Sequence, residues 1–128
     1  MTNLLASFER WIGDHLSRYL SQRLQIPSAA APTDPARLMA CLRPGDVLLV
    51  EGQTRISVAI KYLTQSTWSH AAIYVGDALG RGAANPTAPA FVEANLRFGV
   101  RAVGVDAFAG LHCRICRPVR LDGWETDA

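Results

Sequence analysis

The later part of the chain is a succession of short apolar runs, at residues 91–94, 99–105 and 111–119, divided by turn chemistry. Two similar runs, at 46–50 and 70–75, stand further upstream among segments of helical periodicity. No other feature limits the fold as much. The order is helix, strand, helix, then several strands, and runs of strands after helices argue an α+β fold with a largely antiparallel sheet. In the run at 70–75, His70, Ala72 and Tyr74 alternate with Ala71, Ile73 and Val75, so one face carries a ring and a phenol and the other is apolar.

The first segment, residues 1–26, repeats apolar side chains at three- and four-residue steps: Leu4, Leu5, Phe8, Trp11, Ile12, Leu16, Tyr19, Leu20 and Leu24. Such a pattern predicts an amphipathic helix of about five to six turns. Its stripe has two readings, packing on the rest of the domain or lying in the plane of a membrane with Phe8, Trp11 and Tyr19 near the headgroups. Residues 27–36 read as a linker, since Pro27, Pro32 and Pro35 restrict the helical conformation. The remainder, 37–128, reads as the domain proper. Asp34 or Thr33 is placed to cap a short helix reaching about Leu42, with Pro35 in its first turn. Pro44-Gly45 then turns the chain into the first strand. A second helix is expected at 55–64, capped by Thr54 and packing Ile56, Ala59, Ile60 and Leu63 on the sheet. Asp106 is expected to cap a helical turn through Phe108.

Composition narrows the function classes. At 128 residues with 49% hydrophobic and 19% charged content, the chain fits one small globular domain. The formal net charge is only +2, and all but Lys61 of its basic residues are arginine, so no strong field for nucleic acid exists. Arg97, Arg101, Arg114, Arg117 and Arg120 read as a solvated face. Three cysteines, an odd number, make no disulfide framework, and a reducing, cytoplasmic setting is expected. Glu9, Arg10, Asp14, Arg18 and Arg23 interrupt the N-terminal apolar residues, leaving no signal-peptide core and no membrane span.

The chemistry centres on Trp68-Ser69-His70-Ala71-Ala72-Ile73-Tyr74-Val75-Gly76-Asp77. A titratable ring heading an apolar strand is the group a thiol enzyme uses to activate its nucleophile. Glu93 interrupts the apolar context of Phe91, Val92 and Ala94, and a buried carboxylate is costly unless paired. Paired with His70, it would accept from one ring nitrogen and leave the other free to take a proton. A satisfied structural histidine is the competing reading. Tyr74, on the same strand face, and Ser69 are supporting candidates. Cys113-Arg114-Ile115-Cys116 has metal or dithiol spacing, but in a strand its thiols point to opposite faces. Cys113 therefore reads as core, alternating with Leu111 and Ile115, and neither metal nor cofactor is expected.

Four pieces in order carry a family likeness: Leu42-Arg43-Pro44-Gly45-Asp46-Val47-Leu48-Leu49; the helix Arg55-Ile56-Ser57-Val58-Ala59-Ile60-Lys61-Tyr62-Leu63-Thr64-Gln65-Ser66; the strand from Trp68; and Val92-Glu93-Ala94. Over roughly residues 42–119 this set resembles the YiiX/YaeF-like permuted papain-like amidases, grouped with NlpC-type cell-wall peptidases and lecithin:retinol acyltransferase-like enzymes. The resemblance implies a circularly permuted papain-like fold, its antiparallel sheet packed with helices. It also implies a cysteine nucleophile on a helix, His70 as general base, Glu93 as the residue orienting it, and an amide or ester substrate of acyl, peptide or lipid type.

Cys41 lies only three residues before Pro44, too close to reach back from a separate helix, and the permuted order places the nucleophile after the histidine. Cys113 and Cys116 follow His70 but sit in an expected strand. The chain is thus expected to be the N-terminal part of a longer enzyme, incomplete at its C-terminus, with residues 121–128 beginning a further helix. The alternative is a non-catalytic domain on the same scaffold that binds lipid or cell-wall fragments at a membrane surface.

Overall fold

The computed structural model describes residues 2–28, 30–80 and 85–119. Arg120, the segment 121–128 and positions 81–84 of the expected loop lie outside the described residues. The fold is α+β, with helices α1 (Thr2–Leu20), α2 (Pro35–Cys41) and α3 (Arg55–Thr64), and strands β1 (Val47–Glu51), β2 (His70–Tyr74), β3 (Phe91–Asn95), β4 (Gly99–Val103) and β5 (His112–Cys116). The strands form one antiparallel sheet in the order β4-β3-β2-β1-β5.

Local chemistry sets the element ends. Asp34 accepts from the Ala36 N–H with Pro35 in the first turn of α2, and Thr54 accepts from the Ser57 N–H at the start of α3. Gly45 takes φ +94° in the turn before β1, a conformation that favours glycine, and its N–H bonds the Tyr74 carbonyl at 2.8 Å. Asp106, expected as a cap, lies instead inside the 3-10 turn Val105–Phe108, whose N-cap Gly104 makes no side-chain bond.

Cross-strand partners share a face, which places Leu48, Val50, His70, Ala72, Tyr74, Phe91, Glu93 and Cys113 on one side of the sheet. That side holds the core. Leu38 and Leu42 from the α2 segment, together with Val105 and Phe108, complete it over the sheet. Phe91 is fully buried, 5.1 Å from the rings of both Tyr74 and Phe108. The face of β2 with the ring and phenol is therefore the inner one, whereas Ile73 on the apolar face is 50% exposed. Tyr74 fits inside because its ring packs on Phe91, and the polar His70 because a carboxylate meets it there.

Two further expectations are corrected. The stripe of α1 does not pack on the domain: Leu4 is 79% exposed and Trp11 60%. The helix stops at Leu20, and residues beyond it run against the start of α3, where Arg23 bridges Thr54 and Leu24 N–H bonds Gln53 O at 2.7 Å. α3 does not lay its stripe on the sheet either, because Leu63 is 78% exposed and only Ser57 is fully buried. Thr33, within the expected linker, is held against the start of β5. Thr33 Oγ1 accepts from the Cys113 N–H at 2.8 Å and donates to the Cys113 carbonyl at 3.2 Å, while the Thr33 N–H bonds Leu111 O at 3.0 Å.

Phe91→Ala should lower the free energy of unfolding by about 3–5 kcal/mol, because the lost ring leaves a cavity between Tyr74 and Phe108. A urea titration reads this as a fall in midpoint with an unchanged slope.

Candidate active site

His70 opens β2 and Glu93 sits at the centre of β3, opposite Ala72, so the two side chains meet diagonally across neighbouring strands. His70 Nε2 lies 2.7 Å from Glu93 Oε2. With the Nε2–H donating to the carboxylate, Nδ1 is left as the acceptor of the neutral ring. The other oxygen, Glu93 Oε1, accepts from Arg101 Nε at 2.7 Å and lies 2.7 Å from its second terminal nitrogen. Arg101 stands directly opposite Glu93 on β4.

Glu93 is 6% exposed, and a carboxylate at that depth is stable only if its charge is matched. Burial pushes its pKa up, but the hydrogen bonds from His70 and Arg101 outweigh burial and hold it below the ordinary range. Glu93 is thereby kept charged and fixed in place, and the imidazole is fixed through it.

These groups line a cleft of about 600 Å³. Its walls include Val50, Ile56, Ile60, Phe98, Phe108 and Leu111, and its polar lining includes Ser57, Ser69, His70, Glu93, Arg97 and Arg101. Ser69 Oγ accepts from the Gly52 N–H at 3.0 Å. A side chain at Gly52 would collide with Ser57 Oγ and Ser69 Oγ, so glycine is what lets the end of β1 pass close under the first turn of α3. Tyr74 is absent from the cleft lining and belongs to the core.

Among the described residues, no cysteine lines the cleft. Cys41 and Cys116 are exposed, at the end of α2 and of β5. Cys113 is buried opposite Val50, and burial pushes its thiol up to about 11. The opposite orientation of Cys113 and Cys116 follows from their odd separation in β5. Among the described residues no group of three or more His, Cys, Asp and Glu side chains is arranged to hold a metal ion.

Two arginines of the supposed solvated face are engaged with buried carboxylates. Arg101 holds Glu93, and Arg117 bonds both oxygens of Asp46 at 2.9 and 2.8 Å. The signal for Arg101 lies in the hairpin: a turn centred on Arg97 puts Arg101 opposite Glu93. Arg117 follows β5 and carries no comparable local signal. Comparison with protein-family models, with curated proteins and with solved structures finds no match to this chain.

Two measurements check this geometry. At neutral pH a limiting alkylating reagent should label Cys41 and Cys116 but spare Cys113, with the pattern unchanged in His70→Ala. Since its folded pKa is depressed, ionised Glu93 stabilises the fold fully above about pH 4.3, the unfolded value, and less as pH falls through the folded one. Denaturant unfolding across a pH series should therefore show Glu93→Gln less stable than wild type near neutrality, with the gap closing in acid.

Proposed function

We propose that the cleft is the site of a thiol-dependent amidase or hydrolase reaction on an amide or ester carbonyl, with His70 as general base and Glu93 as its positioning residue. The observation that carries this reading is the Glu93 carboxylate bridging His70 and Arg101, which fixes one ring nitrogen and leaves the other available at the cleft. In this reading the sheet and α3 form the circularly permuted papain-like scaffold that residues 42–119 resemble.

His70 Nδ1 takes the proton of a thiol, the thiolate adds to the carbonyl carbon, and the imidazolium returns the proton to the departing amine or alcohol. Water or another acceptor then releases the acyl group. Arg101 keeps Glu93 ionised as the imidazolium forms, which favours the charged intermediate. In this reading the thiol reaches His70 from outside the cleft lining, where the chain's own thiols lie. That same placement of the thiols favours a second reading, a non-catalytic domain that binds an apolar lipid or cell-wall fragment in the cleft.

An added small thiol separates the two. The chain should accelerate thiolysis of an activated acyl ester with saturation in ester, and His70→Ala should lower that acceleration by about 100-fold or more. Saturable binding of the ester with no acceleration, or acceleration untouched by His70→Ala, would reject the catalytic reading.

A further inference from the structure

The apolar stripe of α1 is exposed along its length, and only its last ring, Tyr19, is met by a described residue of α3, Arg55. Leu4, Phe8, Trp11, Ile12, Leu16 and Tyr19 are all exposed, and at 100° per residue they fall within one sector of about 140°. Trp11 lies near its middle along the axis, stacked between Phe8 at 6.3 Å and His15 at 5.3 Å between ring centroids. Glu9, Arg10, Asp14, Ser17 and Arg18 fill the rest of the circumference. A helix so divided, yet not apolar enough to cross a bilayer, has the character of one that lies along an interface.

The width of the stripe and the charge at one end decide between occupants. Pairing with a second copy of the helix covers a narrow seam and would leave the flanks of a 140° sector wet, whereas a flat hydrocarbon boundary accepts its full width up to Tyr19, where Arg55 stands. Where α1 meets the domain, the charge is one-sided. Arg18 lies in its last turn, Arg23 follows, and Arg55 reaches over from α3 with its guanidinium carbon 4.3 Å from the Tyr19 ring centroid and a 3.0 Å bond to the Tyr19 hydroxyl. Among the described residues, none of these three arginines is in an ion pair. Arg18 falls just beside the sector and Arg55 stands over Tyr19 near its middle, so the cations gather at the C-terminal end of the stripe, where phosphate headgroups would lie.

We infer that α1 is an interfacial helix that docks the protein on an anionic lipid surface, its rings among the acyl chains and Arg18, Arg23 and Arg55 at the headgroups. Because Arg23 also lines the cleft, docking sets the cleft mouth beside the membrane. This inference does not depend on His70 acting as a base.

The test is co-sedimentation of the full 128-residue chain with phosphatidylcholine vesicles, with and without phosphatidylserine, alongside light scattering of the free chain. The wild type should bind the serine-containing vesicles, more weakly in high salt, as a monomer in solution. Phe8→Ser with Trp11→Ser should weaken binding at least about tenfold, since both rings are lost from the apolar phase. These positions are exposed, so the fold of the remainder should be unaffected, as an unchanged urea midpoint would confirm. Arg18→Gln with Arg23→Gln should remove the preference for phosphatidylserine while leaving the rings' contribution. Failure to bind either vesicle would overturn the inference. So would a dimer that the double serine variant converts to monomer without any vesicle binding, which would assign the stripe to a second copy of the chain.

Discussion

The Glu93 carboxylate joins three strands. Its own strand supplies it, β2 supplies a ring to one oxygen and β4 a guanidinium to the other. Taking a carboxylate this far out of water costs several kcal/mol, which is offset only if both oxygens are occupied. Both are. The arrangement consequently specifies the β3–β4 hairpin register, since a slip of one residue would turn Arg101 to the opposite face. It also specifies which nitrogen of His70 is committed and which is free.

The same solution recurs at the two ends of β1. Asp46, just before the strand, is gripped by Arg117 from beyond β5, whose hydrogen bonds hold the acid below its usual range against the opposing effect of burial. Glu51, at the far end, accepts from Ser28 at 2.7 Å and has Lys61 and His112 each 3.4 Å away. Three buried acids are thus each met by cationic or titratable groups from distant parts of the sequence. The sheet positions them, and they fix in turn the segments at Ser28 and Arg117, the helix and the hairpin around it.

Much of the fold was legible because its signals are local. Thr54 and the periodicity after it set the start of α3, Asp34-Pro35 set α2, and alternation located the strands, so α+β with an antiparallel sheet could be read directly. What could not be read depends on partners distant in sequence. Amphipathicity shows that α1 has an apolar stripe but not what covers it, and the stripe proved exposed. The alternation in β2 showed two faces but not that the one bearing His70 and Tyr74 faces inward. At the site, His70 and Glu93 announce themselves as polar interruptions of apolar runs. Arg101, in a sequence rich in arginine, does not, and only the hairpin register singles it out.

Thr33 has a consequence for the sheet as a whole. By satisfying the backbone of Leu111 and Cys113 it occupies the first part of the outer edge of β5, the strand at one margin of the sheet. An edge whose backbone groups are already bonded gives another chain less to pair with. A threonine in an apparent linker thus guards the start of β5 against the edge-to-edge pairing that an unpaired margin invites.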